Sequence, residues 1–180
     1  IEAEKMTSSN DSSIRPIAEY DTSLTPYSTS KKVLNVIDSA SFNEAGQTIN
    51  YTFNVEEAGY YYIAFRYRQP NKTDFPVFCD IKIDGAIPNE LLQAYPFDYT
   101  RSYKNLTLKD RDKEPVAVYL AEGEHTLSIT INSDNIRHVL EAVDRLMNEI
   151  NDLALEVTKV AGTNKDKYRD LKLSKYIPDV

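Results

Sequence analysis

The sequence predicts a mainly β protein: an antiparallel β-sandwich of the jelly-roll kind, followed by one long C-terminal α-helix. Three observations carry that prediction. Between Ala58 and Gly85 two runs alternate at period two, first Tyr61, Ile63, Phe65 and Tyr67, then Val77, Cys79, Ile81 and Ile83, the mark of half-buried strands. Shorter runs of the same kind recur as far as Asn132 with turn formers between them, which reads as roughly eight or nine strands of a sandwich. From Ile136 the period changes. Val139, Leu140, Val143, Leu146, Met147, Ile150, Leu153, Val157 and Val160 are spaced by threes and fours, predicting an amphipathic helix of roughly 27 residues.

Taken in order, Ile1–Glu4 alternates briefly and predicts an edge strand, and Met6–Ser13 is a polar run of turn formers. Ile14–Tyr20 predicts a strand interrupted by Pro16, and Asp21–Lys32 a long loop rich in Ser, Thr and Pro. Val33–Ile37 is short and apolar. In Gln47–Val55, Ile49, Tyr51, Phe53 and Val55 face inward and the residues between them outward. Glu56–Gly59 leads tightly into the run from Tyr61. That run and the one ending at Asp84-Gly85, a dipeptide that tolerates positive φ, are expected as two central strands of one sheet. Ala86–Tyr103 is long and aromatic, and loops of such length are more often functional than idle. Lys104–Leu108, Val116–Leu120 and His125–Asn132 predict further strands. Ser133 or Asp134 caps the helix and Gly162 ends it. The resulting division is 1–133 for the sandwich, 134–162 for the helix, and 163–180 for a polar tail or linker, with Tyr176-Ile177-Pro178 as a docking point.

Composition narrows the function. With 28 acidic against 21 basic residues and a net charge of −7, no basic face can outweigh the acids, which excludes nucleic acid as a partner. No stretch approaches the roughly 20 apolar residues of a membrane span. The chain starts at Ile1 with no leader, as expected of a mature form or an excised fragment. The single Cys79 excludes an internal disulfide and reads as a small buried hydrophobe. Thirteen tyrosines and no tryptophan suit a secreted or surface-exposed β domain.

Motifs for catalysis are missing. His125, in a hairpin, reads as a turn residue and His138 as a surface residue; no HExxH, GxSxG or phosphate-cradling glycine loop occurs. The expectation is a protein that is not an enzyme. Carbohydrate binding fits the residues better. Aromatic faces stack on the C–H surfaces of sugars, and planar polar groups pair with hydroxyls. Tyr95, Tyr99 and Tyr103 supply aromatics, and Arg66, Arg68, Gln69 and Asn71 supply the polar groups. Two alternatives stay open: Tyr95 and Phe97 plug the end of the core, and Arg66 and Arg68 pair across the strand with Asp80 or Asp84. The lack of tryptophan counts against a strong glycan site. Glu2 and Glu4, alternate residues of the first segment, are candidate hard-oxygen ligands for calcium or simply solvated carboxylates.

Two resemblances add to this reading. Ile1–Glu4, the run FNVEEAGYYYIAFR from Phe53, the IDG at Ile83–Gly85 and the GEHTL at Gly123–Leu127 resemble carbohydrate-binding modules of families 6 and 35, which are galactose-binding-like β-sandwiches. That resemblance implies a structural calcium at Glu2 and Glu4, although the chain turns into a helix after Asn132, where the closing Asp of such a site usually stands. Over nearly the whole chain, Leu34–Ile37, Gly46-Gln47, the AGYYYIAFRYRQ run, IDGAIPNE from Ile83, GEHTL, the helix and Arg169-Asp170…Tyr176–Asp179 are similar to a segment of large extracellular solute-binding proteins of sugar-type ABC transporters in Gram-positive bacteria. The resemblance implies an extracellular or surface-attached location. It further implies a non-catalytic role in binding sugar for uptake, and other domains of a parent protein packed on the helix. The other reading is a structural or protein-interaction module that binds no sugar.

Overall fold

The computed structural model of the chain describes residues 1–71 and 73–162. Its start differs from the expected edge strand. Ala3–Lys5 winds into a 3-10 turn, closed by the Lys5 N–H donating to the Glu2 carbonyl at 3.1 Å. A strand would place Glu2 and Lys5 on opposite faces, whereas the turn lets them pair at 2.6 Å. Strand pairing begins later, at β1 (Ser8–Ser9), inside the run expected to be turns. It continues with β2 (Pro16–Ile17), β3 (Val36–Ile37), β4 (Thr48–Val55), β5 (Gly59–Tyr62), β6 (Ala64–Tyr67), β7 (Val77–Ile83), β8 (Tyr95–Phe97), β9 (Lys104–Thr107), β10 (Ala117–Leu120) and β11 (Gly123–Asn132).

One layer is an antiparallel sheet in the order β1-β4-β11-β7-β8, and three two-stranded pairs, β5 with β10, β6 with β9 and β2 with β3, accompany it. Strand β11 sits at the centre of the large sheet because it is long enough to pair on both edges. Ile129 lies opposite Ile49 on one side and Ile81 on the other. The inward residues read from the sequence form the core here: Ile49, Tyr51 and Val55 of β4, Cys79, Ile81 and Ile83 of β7, Leu127 and Ile131 of β11, with Val118 and Leu120 of β10 from the other layer. Edge-to-face contacts of Phe97 with Phe65 and Tyr67, at 5.5 and 5.1 Å between ring centres, join β8 to β6 across the layers.

Two expectations need correcting. The runs from Tyr61 and Val77 are not two central strands of one sheet. Both edges of β7 are taken by β11 and β8, and the first run pairs with β10 and then β9. It also breaks at Ile63, whose carbonyl accepts from the Leu108 N–H at 2.9 Å where the turn between Lys109 and Pro115 interrupts the partner. The stretch Ala86–Tyr103 is no continuous loop either, since it holds a short 3-10 turn, Glu90–Leu92, and the sheet strand β8.

The second compact unit begins at Asp134. Its helix α1 (Asp134–Ala161) has 28 residues, about 42 Å at 1.5 Å per residue. Gly162 ends it with φ 63°, and its N–H donates to the Thr158 carbonyl at 2.8 Å, the left-handed stop expected of a glycine there. The apolar stripe is exposed from Val139 through Leu153. The tail 163–180, including Tyr176-Ile177-Pro178, lies outside the described residues.

His125 is a strand residue, not a turn residue, and it ties two turns together. Its Nδ1 is 2.6 Å from the Asp84 carboxylate and its Nε2 is 2.9 Å from the Ala121 carbonyl. Both partners are acceptors, so the ring fits best with a proton on each nitrogen. Asp84 and, secondarily, the Ala121 carbonyl hold the imidazole above its ordinary value of 6.5. Asp84 lies below its ordinary 3.8, chiefly through the Thr126 N–H and then through His125. The raised histidine contributes stability in full below 6.5 and loses it as pH rises through the folded value. The lowered carboxylate contributes above 3.8 and loses its share as pH falls. The clamp is therefore strongest between those two limits. A pH series of melting curves should show the gap between the wild type and His125→Gln narrowing as pH is raised from 6 to 9; a constant gap would mean that His125 contributes by packing alone.

Candidate functional site

Within the first unit the two layers leave a cavity of about 700 Å³. Its apolar wall is built by strand alternation: Tyr51 and Phe53 from β4, Leu127 and Ile129 from β11, Ile63 and Phe65 from the β5–β6 run. Phe53, Ile63, Phe65 and Ile129 face the core but are only partly buried, so the layers do not close over them. Tyr61, expected inward, also lines this space; it is 39% exposed, with its hydroxyl donating to the Glu57 carbonyl at 2.6 Å.

The polar lining comes from the chain just after β6 and from the segment before β3. Arg68 forms an ion pair with Glu19, and its guanidinium lies 4.8 Å from the centre of the Tyr103 ring, a cation–π contact. The Tyr103 hydroxyl donates to the other oxygen of Glu19 at 3.0 Å. Burial first, and then the Glu19 carboxylate, push the Tyr103 phenol well above its ordinary value. Glu19 is held from behind by the buried Asn35. Asn35 accepts from the Glu19 N–H at 2.9 Å and donates to the Glu19 carbonyl at 2.9 Å and to the Pro26 carbonyl at 3.1 Å. Gln69 is buried, with Nε2 donating to the Phe75 carbonyl at 2.8 Å. Asn71 donates to the Ser39 carbonyl at 3.2 Å. The arrangement is a fixed set of charged donors and acceptors beside an aromatic ring, partly open to water.

Of the residues singled out from the sequence, Arg66, Arg68, Gln69, Asn71 and Tyr103 line this cavity, and so does Glu2 of the expected calcium pair. Arg66 donates to the Asn105 side chain at 2.9 Å. Neither arginine pairs with Asp80 or Asp84, which bind Ala94, Asn132, His125 and Thr126 instead. Tyr95 lies in the core, its hydroxyl accepting from the Lys109 N–H at 3.0 Å. It plugs the sandwich, as the competing reading had it. Tyr99 is half-buried and does not line the cavity; its hydroxyl accepts from Arg101 Nε at 3.4 Å. Sequence reasoning missed Glu19 and Asn35. The one available signal was a lone polar residue inside the apolar run Val33–Ile37; nothing local marks Glu19. Cys79 is buried, and desolvation pushes its thiol up to about 12, so it serves as core.

Residues 138–180 match the family described as "Bacterial solute-binding protein, 4-helix bundle domain", in agreement with the solute-binding resemblance of the sequence. No curated protein matches the chain. A Paenibacillus cycloisomaltooligosaccharide glucanotransferase, complexed with cycloisomaltoheptaose, superposes with a TM-score of 0.52 and 23% identity, over 73% of this chain. The chain spans only 16% of the length of that protein. A family 35 carbohydrate binding module from Clostridium thermocellum gives a TM-score of 0.42 at 18% identity, covering 61% of this chain and 75% of that one. A Podospora anserina GH26-CBM35 β-(1,4)-mannanase gives 0.45 at 16%, over 73% and 24%. The likeness to the Paenibacillus protein establishes the fold, an antiparallel β-sandwich.

The calcium expected at Glu2 and Glu4 can be tested against the donors present. Glu4 Oε2 is buried without a hydrogen-bond partner, the kind of oxygen a hard cation satisfies. Glu2, however, is engaged by Lys5, which draws its carboxyl below the usual range. Among the described residues no three acidic, His or Cys side chains gather around a common point, and calcium takes six to eight oxygens. These donors do not fit a complete shell. Chelation is expected to leave the melting midpoint unchanged. A rise of roughly 5–10 °C on adding millimolar calcium, as a site held at a hundred times its Kd gives a chain of this size, would show that backbone carbonyls complete the shell.

Proposed function

We propose that this chain is a non-catalytic carbohydrate-recognising segment of a bacterial extracellular solute-binding protein that serves sugar uptake. The single observation carrying the reading is the Arg68–Glu19–Tyr103 network at the solvent edge of the cavity. It offers a planar cation, an acceptor and an aromatic face in fixed positions, the group types that hold sugar hydroxyls and C–H faces. The sandwich shared with a protein complexed with a cyclic oligosaccharide and the solute-binding match of the helical segment both support it. The side chains best suited to bond-breaking have other duties: Cys79 is core, and both His125 nitrogens are committed to Asp84 and Ala121.

Calorimetric titration against a broad panel of oligosaccharides is the direct test. Binding should appear for at least one sugar, and Arg68→Ala should weaken it about tenfold or more, the worth of a hydrogen bond to a charged group. Tyr99→Ala, outside the cavity lining, should leave it unchanged. Silence across the panel would favour the structural or protein-interaction reading.

The helix has a partner of its own in this proposal. Its exposed stripe, Val139 to Leu153, belongs to a segment matching a four-helix bundle, so other helices of a parent protein would cover it. On its own the chain should associate through that stripe. Sedimentation at increasing concentration should show oligomers that Leu146→Asp with Ile150→Asp returns to monomer. A monomer at every concentration would remove the stripe as an interface.

A further inference from the structure

A sugar alone accounts for the polar edge of the cavity but not for its wall. Tyr51, Phe53, Ile63, Phe65, Leu127 and Ile129 enclose a space of about 700 Å³, well inside the roughly 300–1,000 Å³ range of pockets that take small-molecule ligands. Protein interiors are otherwise filled to the density of organic crystals. Here Phe53, Ile63, Phe65 and Ile129 face the core and remain partly uncovered. Water gains no hydrogen bonds from such a wall, and a free sugar pushed against it would leave its hydroxyls unpaired. Glu2, Ser23, Thr25, Ser39 and Asn43 also line the space, with Glu2 engaged by Lys5, whereas Glu19 and Arg68 belong to one connected set. Glu19, Arg68 and Tyr103 are bonded to one another, and Gln69 and Asn71 follow Arg68 in the chain. A ligand matching both parts has a hydroxylated head for the network and an apolar tail for the wall. We infer that the site takes an amphiphile of the glycolipid class, a sugar head carrying an unbranched alkyl or acyl tail. This rests on the carbohydrate reading of the same site.

The test is a titration of the whole chain with methyl, hexyl and octyl glucosides, galactosides and maltosides below their micelle concentrations, with n-octanol as the headless control. Affinity for at least one head should rise about fourfold per methylene, the yield of burying a CH₂ group, with the negative heat-capacity change of apolar burial. Ile129→Phe or Ile63→Phe, which fill the wall side, should flatten the series. Their melting curves report whether they fold. The wild-type series decides the question even if neither variant folds. A series that is flat with chain length while sugars still bind overturns the amphiphile and leaves the carbohydrate reading standing. Octanol binding as tightly as every octyl glycoside overturns the sugar head and the carbohydrate reading with it. No binding by any probe overturns both.

Discussion

Strand β11 is the constraint on which the sandwich depends. Its ten residues run from Gly123 to Asn132, and its pairing with β4 and β7 sets Ile129 between Ile49 and Ile81. Because side chains alternate strictly, a slip of one residue in either pairing would turn Leu127, Ile129 and Ile131 outward together. The same strand delivers Thr126 and His125 to Asp84, so the pairing of the end of β7 with the start of β11 is locked by charge as well as by register. The large sheet is thereby rigid. It can carry a second layer that does not fully close.

That incomplete closure is where structure passes into function. The second layer contains two broken strands, β5–β6 and β9–β10, and the break at Ile63 is produced by the turn between Lys109 and Pro115. Two interrupted strands cover less surface than the long strands β4, β7 and β11 present, so apolar residues of β4 and β11 stay partly uncovered opposite them. The residues leaving β6 then cross the open edge, bringing Arg68, Gln69 and Asn71 to the space left behind. Glu19 meets them because Asn35 holds both its N–H and its carbonyl. An edge built this way would cost a ligand little reorganisation, since its charged groups are already paired and oriented.

The helix answers to a different constraint. Twenty-eight residues with one exposed apolar stripe are not held by propensity alone, because helices in proteins draw most of their stability from tertiary packing of such a face. The stripe runs the length of the element, so any surface that covered it would have to be equally extended, as a helix bundle is.

How much was legible in the sequence follows from the range of each interaction. Alternation along β4, β7 and β11, the Asp84-Gly85 turn and the helix with its Gly162 stop are local, and period and turn chemistry announced all of them. The layer to which the Tyr61 run belongs, the burial of Tyr95 and the partners of Arg66 and Arg68 are not local. Periodicity says that a strand has an inner face but not which strand it lies beside, and a carboxylate forty-nine residues from its arginine leaves no mark in either neighbourhood. The amino-acid order by itself therefore determined the long strands β4, β7 and β11 and the helix, together with part of the cavity lining. Only the tertiary structure could decide that Glu19 and Asn35 join that lining, since that depends on closing the chain over long separations, where no repeating pattern records the contact.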